Sequence, residues 1–188
     1  MAACPSRQEA WHLLTEHTEG ENLRKHALAV EAAMRAYALK QGSDPEVWGI
    51  AGLVHDFDYE KHPGPEEHPV FGVSLLQKRG WPEEIVRAVL AHAPHTGVRR
   101  VSPLEKTLFA VDELCGFLIA CALVQPGRSL AEVRPESVRK KLKDKAFARG
   151  VHREHIFQGA EELGVDLERH ILFVLESLVA AAPSLGLG

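Results

Sequence analysis

The sequence predicts an all-α protein, and three observations carry that expectation. Apolar residues recur at spacings of three and four along nearly the whole chain, the period of a helix with one buried face. Prolines and capping residues stand where those periodic stretches begin. No stretch shows the apolar–polar alternation of a strand, and there is neither an internal repeat nor a low-complexity tract.

The elements follow in chain order. Leu23, Ala27, Val30, Met34 and Tyr37 mark a helix over about 21–41, with Gly42 placed to end it. Asp44-Pro45-Glu46 reads as a cap followed by proline at the first helical position, opening a helix towards Asp56. A polar loop over 58–67 contains Pro63, Gly64 and Pro65 and excludes regular structure. Helices restart at Pro69 and Pro82. Ser102-Pro103-Leu104-Glu105 is a capping box that opens a long apolar helix to about Val124, ended by Pro126-Gly127. A second box at Ser129–Glu132 precedes amphipathic helices near 136–148, 153–163 and 167–181. The expected architecture is about eight helices in one domain over 1–188, the C-terminal helices 129–182 packing on the rest.

The 188 residues suffice for one domain with a sizeable core, and 45% hydrophobic with 26% charged residues is ordinary for a globular protein. A net charge of -4 argues against a general nucleic-acid binder, whose footprint would be basic. Cys4, Cys115 and Cys121 form no CxxC pair, so a cytoplasmic location is expected over an oxidising one. The N-terminus lacks the apolar core of a signal peptide, and no apolar run reaches membrane-spanning length.

Polar residues on apolar faces are the informative exception. His26 lies three after Leu23 and four before Val30. His55 and Asp56 end the apolar run Ile50-Ala51-Gly52-Leu53-Val54. His92 lies three after Val89 and seven after Ile85, and Asp112 lies four after Leu108 and three before Cys115. His68 directly precedes Pro69 at a helix mouth. Any one of these has a plain reading as a satisfied core residue. Asp112 resists it, because Leu108–Ile119 contains no basic residue to neutralise it locally. Convergence on a metal explains them together, and imidazoles with carboxylates but no thiolates suit Mn, Fe, Zn, Ni, Co or Mg in a catalytic site.

His26, the His55-Asp56 pair and Asp112, in that order and on helices, resemble the metal-binding signature of the HD-domain superfamily of metal-dependent phosphohydrolases. The resemblance covers roughly Leu23 to Val124. His68 and His92 correspond in order and spacing to the additional histidines of HD proteins with paired metals. His68-Pro69-Val70-Phe71-Gly72 is similar to the segment carrying the first of these in the HD-GYP branch. The resemblance implies an HD-domain helical bundle and two divalent ions, Mn or Fe foremost. One ion would take His26, His55, Asp56 and Asp112, and the other His68 and His92, with Asp56 bridging. A water or hydroxide between the ions would be the nucleophile. Several features depart from HD-GYP: Tyr59 stands where that branch has lysine, its doubled histidine is His92-Ala93 here, and the glycine-tyrosine-proline motif is absent. From Val111-Asp112-Glu113-Leu114 to Lys141–Phe147 the chain is similar to a small bacterial family of HD hydrolases.

Asp56 and Lys61 are the expected catalytic residues, Lys61 as a point charge or proton donor. His95, Arg99 and Arg100 are the expected phosphate contacts. Asp58 is a candidate partner for a ligating imidazole, whereas Glu60 reads as a plain loop acid. Arg139, Lys140, Lys141, Lys143 and Lys145 read as a solvated basic helix face, and His12, His17, His152, His155 and His170 as surface residues. The expected activity is hydrolysis of a small phosphorylated or nucleotide substrate, without nucleic-acid or membrane partners, by a monomer or homodimer. A single-ion site is the simpler version. The resemblance also admits a paired-iron oxygenase or a non-catalytic nucleotide-binding module.

Overall fold

The computed structural model describes residues 4–188, which hold nine α-helices and no strand. The all-α expectation is met. No helix is long and apolar enough to cross a membrane among the described residues. The chain divides into two compact units, one ending at Phe109 and one running Ala110–Gly188.

The first unit holds α1 (Arg7–His17), α2 (Glu21–Gln41), α3 (Pro45–Val54), α4 (Val70–Lys78), α5 (Glu83–His92) and the start of α6 (Pro103–Leu123). The sequence reading missed α1, although its signal was present. Ser6 and Glu9 form a capping box, the Ser6 hydroxyl accepting from the Glu9 amide and Glu9 from the Ser6 amide. The Ser102–Glu105 box does cap α6 as expected, with Glu105 also held by Arg87 at 2.9 Å.

The hydrophobic α3 is the centre of this unit, with every residue from Trp48 to Val54 buried. It packs on α2, α1 and α5. A Cβ at Gly52 would meet the Val30 carbonyl oxygen and Met34 Cγ at 3.0 Å, so glycine here lets two helix backbones approach. Beside that contact Glu31 is buried and held by Arg7 (2.6 and 2.8 Å) and Arg35 (2.9 Å). The same Arg35 reaches Glu46 on α3 at 2.5 Å. A buried carboxylate so paired ties α1, α2 and α3 together, and removing a partner would strand its charge.

α3 ends at Val54, two residues short of Asp56, and turns over 55–61 carry the chain away. Those turns are anchored to the junction of α1 and α2. Thr18 donates to the Phe57 carbonyl at 3.0 Å, and the Glu60 carboxylate accepts from the amides of Glu19 and Gly20. Glu60 thus caps α2, whose N-cap Gly20 has no side chain to do so. Segment 55–61 is thereby fixed between two helices.

The second unit contains the remainder of α6, α7 (Pro135–Lys143), α8 (Arg153–Leu163) and α9 (Leu167–Leu185), with a short 3-10 turn at Leu130–Glu132. α9 packs against α7, α8 and that turn. Two expectations are corrected. The helix read over 136–148 stops at Lys143, where Asp144 turns outward and its side chain accepts from the Ala146 amide. His170, read as a surface residue, is buried with Nε2 donating to the Ala110 carbonyl at 2.9 Å.

Candidate metal centre

Four imidazoles and a carboxylate of the first unit converge, and two kinds of local device orient three of the rings. His55 is the first residue beyond α3, still in helical conformation, and its Nδ1 donates to the Gly52 carbonyl at 2.8 Å. His92 closes α5 in the same way, Nδ1 donating to the Val89 carbonyl at 2.5 Å. The last carbonyls of a helix lack intrahelical partners, so each ring satisfies one and is oriented by it. His68 lies in the turn before α4. Its Nδ1 donates to Asp58 Oδ1 at 2.9 Å, and the other Asp58 oxygen accepts the Gly72 amide at 2.8 Å. Asp58 is fully buried. A Cβ at Gly72 would stand 2.9 Å from the Asp58 carboxylate, so the contact requires glycine.

The consequence is chemical. A carbonyl or carboxylate accepts only, so Nδ1 carries the proton in His55, His68 and His92, and Nε2 is left with a lone pair. All three Nε2 atoms then face the same carboxylate. His55 Nε2 lies 3.3 Å from Asp56 Oδ2, while His92 and His68 Nε2 lie 3.1 and 3.4 Å from Oδ1. His26 Nε2 stands 3.3 Å from His55 Nε2 and 4.0 Å from Asp56 Oδ2.

Lone pairs facing carboxylate oxygens repel unless a cation lies between them. Protons on every ring would crowd several imidazolium charges with centroids 5.2 Å apart, a costly arrangement away from water. Divalent ions resolve it. Two donors each about 2.1 Å from a common ion lie roughly 3–4 Å apart, the spacing seen here. The donor set therefore fits metal. Within it Asp56 offers one oxygen to His26 and His55 and the other to His68 and His92, whose ligand atoms lie within 4.8 Å of Oδ1 and of each other. Burial works to raise the Asp56 carboxyl; only with the rings protonated in place of bound cations would the His55 charge and hydrogen bonds from His55 and His92 hold it well below its ordinary range.

The remaining expected residues fall as follows. Asp112 lies on α6 three residues beyond Phe109, half-buried. His95 is exposed in the 3-10 turn Pro94–Thr96 and bonds through Nε2 to the His68 carbonyl at 2.7 Å, beside the centre. Arg100 lays its guanidinium over Phe109 at 3.7 Å and donates to the Ala91 carbonyl, a packing role. Arg99 is exposed, its carbonyl accepting from Arg87. Lys61 is exposed and its ammonium donates to the Glu16 carbonyl at 3.0 Å. Sequence reasoning gave no role to Tyr59, whose ring meets the His68 ring edge-on at 5.2 Å and covers that face.

Known proteins match the same region of the chain. The family model for the HD domain matches residues 23–115. Ribonuclease Y of Desulfotalea psychrophila (strain LSv54 / DSM 12343) is 35% identical over 98 residues, covering 52% of this chain and 18% of that protein. Ribonuclease Y 2 of Levilactobacillus brevis is 30% identical over 98 residues, with the same coverage. Ribonuclease Y of Oleidesulfovibrio alaskensis is 31% identical over 97 residues, 51% of this chain and 18% of that protein. The chain thus spans under a fifth of the length of these relatives. No solved structure matches. The region that matches is the one that carries the histidines and Asp56, and residues 23–115 belong to the HD-domain superfamily of metal-dependent phosphohydrolases.

Proposed function

We propose that this chain hydrolyses a phosphate ester of a small phosphorylated or nucleotide substrate, using two divalent ions, Mn or Fe foremost. His26, His55, Asp56 and Asp112 would hold one ion, and Asp56, His68 and His92 the other. When bound, such ions lower the pKa of water to make a nucleophile at neutral pH and offset charge on the phosphoryl oxygens. The chain's own part is orientation. The Gly52 and Val89 carbonyls and the Asp58 carboxylate fix three imidazoles with Nε2 inward, and Asp56 divides its oxygens between the two sets. The observation that carries this reading is the set of lone pairs gathered on one carboxylate, which has no stable use without cations.

Tyr59 and His95 flank His68 and would border the substrate, with His95 as the nearest candidate phosphate contact. The relatives are named ribonucleases, which supports a phosphodiester as the scissile bond and brings RNA back as a substrate that the acidic composition had set aside. The test combines metal analysis with a screen of phosphomonoesters and phosphodiesters, wild type against Asp56→Ala. Two equivalents of metal and turnover lost in the variant are expected. Metal near zero in wild type would refute the centre, and unchanged turnover in Asp56→Ala would refute the chemistry.

A further inference from the structure

The second unit contains a groove of about 670 Å³ lined by Lys143, Lys145, Arg149, His152, Arg153 and Phe157, with Leu142, Val151 and Glu154 completing the wall. It lies outside the matched residues 23–115. The helix expected over 136–148 would have placed Lys143 and Lys145 on a solvated face with Arg139, Lys140 and Lys141. Instead α7 stops at Lys143, and the turns over 144–151 bring Lys145 and Arg149 to the same opening.

The walls are built rather than loose. Arg153 gathers this segment by donating to the carbonyls of Asp144 (2.9 Å), Phe147, Ala148 (3.5 Å) and Val151 (3.3 Å). Ala148 is held at φ 43°, a left-handed conformation that is costly for a non-glycine residue. With its guanidinium committed to the loop, Arg153 leaves the ligand to others.

The side chains of Lys143, Lys145 and Arg149 make no hydrogen bond or ion pair among the described residues, although the chain has 26 acids to 22 lysines and arginines. Glu154, the acid of the wall, lies 3.5 Å from His152 Nδ1. Phe157, one helical turn beyond Arg153 on α8, leaves 49% of its surface open. Free cations bordering an exposed aromatic ring match the two needs of an unpaired nucleic-acid strand, phosphates to neutralise and bases to stack.

We propose that this groove binds single-stranded nucleic acid, Lys143, Lys145 and Arg149 contacting the backbone and Phe157 stacking a base. The inference is independent of the metal centre. It is tested by anisotropy of a labelled 12-nucleotide oligouridylate, on the wild-type chain and on Asp56→Ala, where hydrolysis cannot remove the strand. The triple variant K143A/K145A/R149A is expected to bind at least about tenfold more weakly, with the dependence on log salt shallower by about two. Phe157→Ala is expected to lose about fivefold or more. Both variants should keep wild-type metal content and helicity, which separates loss of the groove from loss of the fold. No binding by wild type at low salt, or binding by the triple variant equal to wild type, would overturn the proposal. So would competition by uridine monophosphate or by a 12-base-pair duplex as effective as that of the unlabelled strand.

Discussion

His55 and His92 on one side and His68 on the other reach the same carboxylate by different means. The first two close helices, and each ring is tied to a carbonyl three residues earlier in its own helix. His68 sits in a turn and is tied to Asp58, ten residues away, which depends in turn on the Gly72 amide. The helix-end histidines are therefore oriented by local backbone that no side-chain substitution removes. His68 is oriented by a carboxylate that one substitution can remove. Of the two halves of the centre, the set that contains His68 should accordingly be easier to break than the set that contains His26 and His55.

The largest effect is expected where the halves meet. Asp56→Ala removes an oxygen from each set, so both ions should be lost together. Turnover should fall at least about a thousandfold, the equivalent of the several kcal/mol that bound metals contribute. Loss of only one equivalent by metal analysis would show that Asp56 serves one set, and the bridging geometry would have to be abandoned.

Asp58→Asn should separate the halves. In one amide orientation the NH₂ faces the Gly72 N–H, donor against donor. In the other it faces His68 Nδ1 and forces the proton to Nε2, removing the inward lone pair. Either way the His68 set should bind its ion about 10–100-fold more weakly, while the His55 set keeps its own. Titration to one tight equivalent in place of two is the expected outcome. Two tight equivalents would mean that His68 does not need Asp58.

Gly72→Ala attacks the same half from outside. Its Cβ would lie 2.9 Å from the Asp58 carboxylate and 3.0 Å from Phe57 Cε1, both in buried surroundings. Some shift of Asp58 must follow, with a stability loss of about 1–3 kcal/mol by thermal or denaturant unfolding. A weakened second ion should accompany it. Destabilisation without any change in metal binding would confine Gly72 to packing.

The same contrast explains what the sequence disclosed. His26, His55 and His92 stood out because they occupy positions of helical period that aliphatics should fill, and period is a local property. The all-α class and the α6 capping box were legible for the same reason. The Asp58–His68–Gly72 chain was only half legible. Asp58 is an acid in a polar loop, and nothing in its neighbourhood says that it is fully buried. Glu60 was read as a plain loop acid, and its capping of α2 depends on a contact forty residues away. α1 was overlooked although Ser6 and Glu9 have capping-box spacing, because the polar stretch after them carries a weak apolar stripe. The meeting of Lys145 with Arg149 was not legible, because the period over 136–148 points to a helix that in fact stops at Lys143.

Lys61 gives the smallest expected effect and the cleanest test of residues named from spacing alone. Two positions from the lysine of the HD-GYP branch, it was assigned a catalytic charge. In the structure its ammonium donates to the Glu16 carbonyl at the end of α1, at an exposed site. An exposed contact of that kind contributes within about 0.5 kcal/mol, so Lys61→Ala should lower kcat by less than about threefold and leave metal content unchanged. The helix-end histidines would then owe nothing to it. A hundredfold fall in kcat at unchanged metal content would instead mean that Lys61 leaves Glu16 during turnover and supplies charge to the substrate. Tyr59, standing where that branch has its lysine and packed on His68, would then shape the centre without carrying its charge.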